Sequence, residues 1–586
     1  MQGGTSGRAQ PAMPTPSSAG AIAQLCAEIC AGKGMRHFVI SPGSRSAPLT
    51  IALSRHPQIA CRIVYDERSA AYVALGMAQQ LGQPVGLLCT SGTAALNYGP
   101  AITEAFYQQI PLLVFTADRP PEWLDQQDNQ AIHQTGLYEP HCRGSYELPV
   151  ELSHPDARWF ATRILSQAVD HCQSPMAGPV HINVPLREPL YLPVTDQPAP
   201  KIIQTLAQQF ELTESAWAEL VTIWQSAQRK LIIGGMHPAN PTLHAALHTL
   251  GADPTVAVIG DITANLYPQA TQLYHSDMIL STRNAGLIEQ LKPDLVVTFG
   301  GQYISKSLRA LLRNHPPLAQ WHLQLAGDPV DTLQCLTHVI PMRPVDFFPA
   351  LQQRIQPNPR GEYGAFWQTL ETYAATQLDT FLSDAPFGEF QAVHQVLQAL
   401  PTGSHLQIGN SMPIRYANFI GHLPDHTPGQ LNANRGTSGI DGTVSTTVGA
   451  AAVSTALTTL ITGDLAFFYD RNGLWQPNLP HNLRIVILNN HGGGIFQIID
   501  GPNQLPPDEL ITYFLTPQPL TARRTAEDHQ CDYYFVDKRS DLAAVLAEFF
   551  APRARAAILE IETDMQINTQ VFEQFRALVA ALSIEQ

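Results

Sequence analysis

The chain has 586 residues, of which 44% are hydrophobic and 14% charged, and its formal net charge is −15. At about 150 to 200 residues per domain, this length predicts three domains, each with its own buried core. The negative charge argues against nucleic acid or an anionic membrane as a partner, because phosphate recognition needs clustered Lys and Arg. An acidic substrate would therefore need a local basic pocket.

The composition also favours a cytoplasmic protein. The N-terminus lacks a basic region followed by an apolar segment, and no stretch reaches about 18 apolar residues, so we expect neither secretion nor a membrane span. The eight cysteines show neither a metal-binding spacing nor a dense disulfide pattern, which indicates a reducing compartment. Residues 1 to about 18 are rich in Gly, Pro, Ser, Thr and Ala and predict a disordered tail.

Between Ala21 and about Leu192, short apolar strands alternate with helical patterns. This alternation predicts a mostly parallel sheet covered by helices. Gly-rich turns at Pro42-Gly43-Ser44 and Ser91-Gly92-Thr93 follow two strands, at the edge where such sheets bind ligands. The predicted elements are strands His37–Ser41, Arg62–Tyr65, Val85–Cys89, Pro111–Thr116 and Val180–Val184, and helices Ala21–Ala31, a helix after Pro48, Ser69–Leu81 and Thr93–Tyr107.

Two proline-rich breaks, Pro193–Pro200 and Gln356–Gly361, divide the rest of the chain. The fold class is therefore α/β, with three consecutive domains and mostly parallel sheets, at residues 19–195, 196–358 and 359–586. The strands predicted after the first break are Lys230–Ile233, Thr255–Ile259, Asp294–Phe299, His338–Pro341, His405–Ile408, Thr458–Thr462 and Arg484–Leu488, and a further helix is predicted at Thr443–Ala456.

The third domain contains a pattern typical of a metal-diphosphate site. Gly463-Asp464 follows one apolar strand, and Asn490, in Asn489-Asn490-His491-Gly492, comes 26 positions after Asp464 at the end of the next. The spacer can hold a crossover helix, so two parallel strands would bring Asp464, Asn490 and the Gly492 carbonyl together. Mg²⁺ prefers such oxygen ligands together with phosphates and water. The other Gly-Asp pairs, at Gly260 and Gly327, have no Asn-Asn at this distance.

Gly-Asp, a spacer of this length and Asn-Asn resemble the diphosphate motif of thiamine diphosphate (ThDP) enzymes. The resemblance implies three α/β domains in chain order: a pyrimidine-binding domain, a central domain and a diphosphate-binding domain. It also implies Mg²⁺ or Mn²⁺ at Asp464, Asn490 and Gly492, with Gly463 and Leu465 beside the cofactor. Members bind ThDP between two subunits, so it implies a homodimer at least, with a homotetramer left open.

ThDP enzymes also need a glutamate from the first domain, which protonates the aminopyrimidine ring of the cofactor and so activates it. Glu67, in the string Asp66-Glu67-Arg68-Ser69 at the start of a predicted helix, matches that position. An acidic side chain at a helix N-terminus is also stabilised by the helix dipole, and Asp66 is the rival candidate.

Longer strings are similar to one branch of these enzymes, the 2-succinyl-5-enolpyruvyl-6-hydroxy-3-cyclohexene-1-carboxylate (SEPHCHC) synthase family of menaquinone and phylloquinone biosynthesis. That family decarboxylates 2-oxoglutarate and adds the succinyl carbanion 1,4 to isochorismate. The strings are Ser41-Pro42-Gly43-Ser44-Arg45-Ser46, Asp118-Arg119-Pro120-Pro121, Asn129-Gln130-Ala131-Ile132, Gly409-Asn410-Ser411 and Asn434-Arg435-Gly436-Thr437-Ser438-Gly439-Ile440-Asp441-Gly442.

The resemblance implies a set of site residues. Both substrates are dicarboxylates, and arginine forks suit carboxylates. The catalytic positions are Glu67, Arg45, Gln130 and Arg415. The substrate positions are Ser44, Arg45, Arg119, Asn129, Gln130, Lys306, Ser411, Arg415 and Arg435. The further cofactor positions are Ser411, Ile440, Ile495 and Phe496.

Two departures from the family pattern stand out. A Lys-Arg pair of the central domain is here Lys306-Ser307, so Arg309 or Arg283 would have to supply the second cation. The third Asn of the metal loop is His491, which follows the ligand. Two alternatives remain: another ThDP carboligase or decarboxylase, and a non-catalytic ThDP-binding protein. A Rossmann oxidoreductase is weaker, because no Gly-x-Gly-x-x-Gly follows a strand with an acid about 20 residues on.

Overall fold

The computed structural model describes residues 18–191, 198–206, 208–358, 360–421 and 428–583. The predicted tail lies outside these residues except for Ser18, where the first helix begins. Most of the predicted linker, and Pro359 in the second break, also lie outside them. None of the described helices is long and apolar enough to cross a membrane.

The N-terminal part of the chain forms a six-stranded parallel sheet. Its strands are β1 (His37–Ile40), β2 (Ala60–Ile63), β3 (Val85–Cys89), β4 (Leu112–Asp118), β5 (Gly144–Glu147) and β6 (Pro179–Pro185). Its helices are α1 (Ser18–Gly32), α2 (Ala47–Arg55), α3 (Glu67–Leu81), α4 (Thr93–Asn97), α5 (Gly99–Gln108) and α6 (Pro155–His171). The spatial order is β2-β1-β3-β4-β6-β5, and every pairing is parallel.

Two features differ from the prediction. The helix predicted over Thr93–Tyr107 is two helices, α4 and α5, because Pro100 near the start of α5 has no N–H and cannot continue the preceding helix. The pattern also missed β5 and α6. β5 is short and only half-buried at the sheet edge, so it carries no apolar run.

The second sheet has five parallel strands. They are β7 (Lys230–Gly234), β8 (Val256–Gly260), β9 (Leu295–Phe299), β10 (Ala319–Leu323) and β11 (His338–Ile340), in the order β11-β10-β9-β7-β8. The helices are α7 (Glu214–Ser226), α8 (Pro241–Gly251), α9 (Ser276–Leu280), α10 (Ala285–Leu291), α11 (Lys306–Asn314) and α12 (Pro344–Gln352).

The third sheet has six parallel strands. They are β12 (His405–Ile408), β13 (Gln430–Asn432), β14 (Thr458–Gly463), β15 (Leu483–Asn489), β16 (Asp532–Val536) and β17 (Ala557–Glu562), in the order β13-β12-β14-β15-β17-β16. The helices are α13 (Tyr363–Asp384), α14 (Glu389–Ala399), α15 (Met412–Ile420), α16 (Thr443–Ala452), α17 (Asp464–Asp470), α18 (Ile495–Ile498), α19 (Pro507–Leu510), α20 (Arg523–Asp528), α21 (Arg539–Phe549) and α22 (Met565–Ala580).

These three parallel sheets confirm the predicted fold class. The chain forms two compact units: the first contains the first sheet, and the second contains the other two sheets together with Leu75–Gly82 and Thr103–Ile110. One continuous cluster of buried apolar side chains runs from Leu231 through Trp367 to Leu582, so the second and third sheets share a core. The two boundaries between the three predicted domains fall between sheets in chain order and stay predictions.

Candidate active site

The predicted metal-diphosphate residues lie at one edge of the third sheet. β14 and β15 are parallel neighbours in which Gly463 pairs with Leu488, so Asp464 and Asn490 follow adjacent strand ends. Asp464 is the first residue of α17 and is 2% exposed, and Leu465 beside it is half-buried. A Cβ placed on Gly463 would meet no atom within 4 Å, so there is open space above this strand end.

Each polar side chain at this edge is held by a specific partner. The Gln518 amide donates to Asp464 Oδ2 at 2.7 Å, and burial raises the pKa of Asp464 to about 6. Asn490 Nδ2 donates to Glu389 Oε1 at 2.7 Å, and the Gly492 amide donates to Asn490 Oδ1 at 3.1 Å. Burial first, and the charge of Asp464 second, raise the pKa of Glu389 to about 8.

This donor set fits a hard divalent cation. Within the described residues, no three His, Cys, Asp or Glu side chains form a metal-binding group, so the candidate depends on one carboxylate with amide and carbonyl oxygens. Those are ligands that Mg²⁺ and Mn²⁺ accept. A cation there would also offset the repulsion between the buried Asp464 and Glu389 carboxylates. The open strand end gives a diphosphate room to approach the backbone.

The cofactor-face residues that follow Gly492 lie on α18. Ile495 and Phe496 are half-buried at its start, and the Phe496 ring packs edge-on against Phe514 at 5.5 Å. His491, which replaces the family's third Asn, has a positive φ of 61°. Its backbone N–H donates to Asn489 Oδ1, so the substitution leaves the turn closed.

The loop from Asn434 to Gly442 presents two predicted residues. Asn410 Nδ2 donates to the carbonyls of Asn434 and Gly439, at 2.6 Å each. Arg435 Nη1 donates to Asn410 Oδ1 at 3.3 Å, while its buried Nε has no hydrogen-bond partner among the described residues. Ile440 is 40% exposed, which is high for an isoleucine. A cationic donor without a partner and an uncovered apolar side chain both suit a bound ligand.

A second basic group stands beside a cavity of about 800 Å³ in the same unit. Ser411 precedes α15 with a strained φ of 74°, and Arg415 one turn later donates to the Ser411 carbonyl. The cavity lining includes four cations, three acidic residues and apolar side chains such as Ile498; the charged residues are Arg283, Lys306, Arg415, Arg576, Asp277, Asp500 and Glu573. Positive and apolar surfaces side by side match a ring that carries carboxylates.

The lining of the cavity distinguishes between the two candidates for a second cation near Lys306. Ser307, which replaces the family's second cation, contacts Ser281 through the two hydroxyl oxygens at 2.8 Å. Arg283 lies two residues after Ser281 and lines the cavity. Arg309 donates instead to the Tyr303 carbonyl at 2.7 Å and does not line it.

Two aspartates near the cavity are buried: Asp277, which lines it, and the neighbouring Asp261. Asn418 Nδ2 donates to Asp277 Oδ2 at 2.9 Å and contacts Asp261 Oδ1 at 3.4 Å. Ser305 Oγ donates to Asp277, and the Ile304 amide donates to Asp261. Burial first, and the neighbouring Asp277 second, raise the pKa of Asp261 to about 7. The pair therefore holds a proton near neutral pH.

This raised pKa predicts how stability depends on pH. Because the folded-state pKa of Asp261, about 7, exceeds the ordinary value of 3.8, the folded state binds more protons between these values. The free energy of unfolding therefore falls as pH rises, by up to about 1.4 kcal/mol per pH unit. In Asp261→Asn, the free energy of unfolding measured with urea should decline less steeply between about pH 4 and 7. An unchanged slope would contradict this prediction.

The predicted activating glutamate begins α3 in the first unit. Glu67 is the first helical residue and is partly exposed. Its rival Asp66 accepts a hydrogen bond from the Ser69 amide at 3.2 Å and so caps the helix. The carboxylate of Asp66 therefore has a structural role, and the activating role of Glu67 stays a prediction.

Ser44 and Arg45 follow β1 in a tight turn. A Cβ on Gly43 would lie 2.3 Å from the Thr90 side chain, so only glycine fits there. Ser44 is exposed, whereas Arg45 is 6% exposed and donates to the Leu186 carbonyl and to Glu188, at 3.0 Å each. Glu188 is mostly exposed, so this ion pair is screened by water.

Arg119, Asn129 and Gln130 lie together on the loop after β4. Arg119 Nε donates to the Asn129 carbonyl at 2.6 Å and pairs with Asp128 at 2.7 Å. Gln130 has a positive φ of 56°, and a Cβ on Gly92 would lie 3.3 Å from its side chain. The loop is thus packed against the Gly-rich turn after β3.

A buried network holds this loop. The Gln134 side chain accepts from the Gly92 amide at 2.8 Å and donates to Asn183 at 3.1 Å. Asn183 in turn donates to Asp118 at 2.8 Å. Sequence reasoning missed Gln134 and Asn183 here, as it missed Glu389 and Gln518 at the metal edge. Single polar residues far from the motifs carry no pattern that identifies them.

Comparisons with known proteins identify the family of this chain. Residues 21–137 match the family described as thiamine pyrophosphate enzyme, N-terminal TPP binding domain. The chain is similar to proteins named 2-succinyl-5-enolpyruvyl-6-hydroxy-3-cyclohexene-1-carboxylate synthase from three bacteria. It is 40% identical to that of Cytophaga hutchinsonii (94% of this chain and 98% of the relative), 37% to that of Flavobacterium johnsoniae (95% and 98%) and 39% to that of Desulfotalea psychrophila (91% and 97%).

Both findings confirm two predictions, that the protein is an enzyme and that its cofactor is ThDP. The similarity extends over all three sheets, because about 555 residues align with the Cytophaga relative. The chain belongs to the SEPHCHC synthase family of ThDP-dependent enzymes.

Proposed function

We propose that the protein decarboxylates 2-oxoglutarate and adds the succinyl unit to isochorismate, giving SEPHCHC and CO₂ in menaquinone or phylloquinone biosynthesis. The observation that carries this proposal is the grouping of four cationic side chains, Arg283, Lys306, Arg415 and Arg576, around one partly apolar cavity of an acidic protein. Dicarboxylates are recognised by such local positive charge.

Asp464, Asn490 and the Gly492 carbonyl would hold Mg²⁺ or Mn²⁺, and the open strand end at Gly463 would receive the diphosphate. Ile440, Leu465, Ile495 and Phe496 would contact the cofactor rings. Bound ThDP supplies the carbanion chemistry that joins the two substrates. Glu67 would exchange a proton with the cofactor through its carboxylate.

The proposed substrate donors fall into two groups along the chain. Ser44, Arg45, Arg119, Asn129 and Gln130 come from the first unit. Ser411, Arg415, Arg435 and Lys306 come from the second. Arg283 would supply the second cation of the family's Lys-Arg pair, which is Ser307 in this chain, since Arg283 lines the cavity and Arg309 does not. Guanidinium groups would bind substrate carboxylates, and Gln130 and Ser411 would orient the oxo group.

We further propose a homodimer at least, since ThDP enzymes bind the cofactor between subunits. A cytoplasmic location accords with the eight cysteines, all of which are free thiols.

The test is CO₂ release from 2-oxoglutarate by the purified protein with ThDP and Mg²⁺, with and without isochorismate, with the adduct followed by mass. Release together with an isochorismate-dependent adduct is the expected result. Release without an adduct would move the acceptor to another compound. No release despite bound ThDP would favour another ThDP carboligase or decarboxylase, or a non-catalytic binder.

Arg435→Lys and Arg415→Lys should each lower kcat/KM by about 10- to 150-fold, because a lost charged hydrogen bond costs about 1.5 to 3 kcal/mol. Lysine keeps the positive charge but loses the bidentate geometry of the guanidinium group. An enzyme that acts on monocarboxylates has little use for several guanidinium groups and would tolerate both changes. Initial rates with each substrate varied in turn measure the effect. Arg524→Lys, at an exposed position of α20, is the control and should behave like the wild type. Equal values for all three variants would contradict the prediction.

A further inference from the structure

A buried glutamate that belongs to none of the predicted motifs is hydrogen-bonded to the loop that carries Arg435. Glu104 on α5 is 1% exposed, and one of its carboxylate oxygens accepts from the Gly436 amide at 2.7 Å. The other oxygen accepts from both the amide and the hydroxyl of Thr437, at 2.6 Å each. Gln108, one turn later on α5, also donates to this carboxylate. Glu104 therefore binds the two residues that directly follow Arg435.

The opposite side of the loop is held as well. Gln302 Nε2 donates to the Gly436 carbonyl at 2.6 Å, so Gly436 is bound at both its N–H and its C=O. A Cβ on Gly436 would lie 2.6 Å from the Glu104 carbonyl oxygen, so no other residue fits. The Gln108 amide adds a contact to the Ala433 carbonyl at 3.2 Å, just before the loop. These contacts fix the backbone on both sides of Arg435.

The side chain of Arg435 is left ready for a ligand by this arrangement. Its Nη1 contacts Asn410, while its Nε is buried without a partner among the described residues. The side-chain oxygen of Asn434 next to it is also buried without a partner in that part of the chain. Buried polar atoms without partners are rare and mark places where something else binds. These backbone hydrogen bonds restrict the loop before substrate binds, so less conformational entropy is lost on binding, which is preorganisation.

We propose that Glu104 is a positioning residue that presents Arg435 to a carboxylate of the substrate. The inference rests on the proposed function, because Arg435 acts on a dicarboxylate only if that function holds. Charge-assisted hydrogen bonds to two consecutive amides define the backbone more tightly than neutral ones. The hydrogen bonds of Glu104 fix the direction of the Arg435 guanidinium group, whereas the charge of that group does not depend on them.

The test uses the full-length protein with ThDP and Mg²⁺ and two variants. Glu104→Gln keeps the shape but removes the charge, and Thr437→Val removes only the hydroxyl contact. Hydrogen–deuterium exchange of the peptide covering Gly436 and Thr437 should be faster by about 10-fold or more in Glu104→Gln and less so in Thr437→Val. In Glu104→Gln, kcat/KM for one dicarboxylate should fall by about 10- to 100-fold through KM, with ThDP affinity unchanged.

Glu371→Gln is the matched control. Glu371 is also a buried glutamate that accepts from a backbone amide, that of His275 at 3.0 Å, but it contacts no residue of the loop. It should lose stability without changing exchange at Gly436 or KM. In an Arg435→Lys background, Glu104→Gln should have little further effect on KM, since both changes remove the same alignment.

Several results would overturn the inference. These are loop exchange equal to the wild type in Glu104→Gln, a fall in kcat/KM no larger than in Glu371→Gln, and full additivity with Arg435→Lys. A wild-type protein that forms no adduct would overturn the proposed function instead. In that case the exchange experiment alone still decides whether Glu104 holds the loop.

Discussion

Glu67→Gln is expected to lower kcat by about 10²- to 10⁴-fold, the range that a positioned general acid or base contributes. The amide has nearly the shape of the carboxyl group but cannot exchange a proton. ThDP affinity should therefore stay close to the wild-type value, since only proton transfer is lost. Steady-state turnover and a ThDP titration followed by tryptophan fluorescence measure the two quantities on the same preparation.

The matched control for Glu67 is its neighbour, Asp66→Asn. Asp66 caps α3 through the Ser69 amide, and asparagine caps helices about as well as aspartate, so activity and stability should hardly change. A larger loss of turnover in Asp66→Asn than in Glu67→Gln would assign the activating role to Asp66. If Glu67→Gln retained full turnover, the protein would not use this carboxylate at all.

Asp464→Asn is expected to weaken Mg²⁺-dependent ThDP binding by about 100-fold or more, because even outer partners of metal ligands contribute about 10- to 100-fold. Asp464 is the one carboxylate in the candidate ligand set, so the variant loses the charge that draws the cation into a buried position. ThDP titrations at several Mg²⁺ concentrations, and again after chelation, separate loss of the metal from loss of the cofactor. The unfolding midpoint checks that the variant is folded.

Asp328→Asn provides the control for this second prediction. Asp328 also follows a glycine, but it is exposed and no Asn-Asn lies 26 residues further on. It should bind ThDP like the wild type. If Asp464→Asn bound Mg²⁺ and ThDP as tightly as this control, the strand-end site would have to be placed elsewhere.

Sequence patterns predicted most of the strands within one or two residues. β3 and β12 match the expected bounds, β14 is one residue longer at its C-terminal end, and β15 is one residue longer at each end. Buried parallel strands are continuous apolar runs bounded by glycine and proline, so such strands can be read directly. The edge strands β5, β13 and β16 were not predicted, since they are short or only partly buried. The interior strands β10 and β17 were missed as well, because polar residues such as Gln320 and Glu560 interrupt their apolar runs.

The candidate site divides in the same way. Asp464 and Asn490 were found because each directly follows a strand, and neighbouring parallel strands end at one edge. Glu389 lies about 100 positions before Asn490, and Glu104 lies more than 300 positions before Gly436, and both were missed. A hydrogen bond between residues so distant along the chain depends on how helices pack, and local composition does not report it.

The sequence by itself determined the fold class and the family and predicted the candidate cofactor and substrate residues, because strand periodicity and motif spacing are local properties. Only the tertiary structure decided which polar side chains hold those residues in place, and that Arg283 rather than Arg309 lines the cavity beside Lys306. It also decided that the second and third sheets share one core. Packing and hydrogen bonds between distant segments arise only when the chain is folded, since each needs two surfaces that the sequence specifies separately.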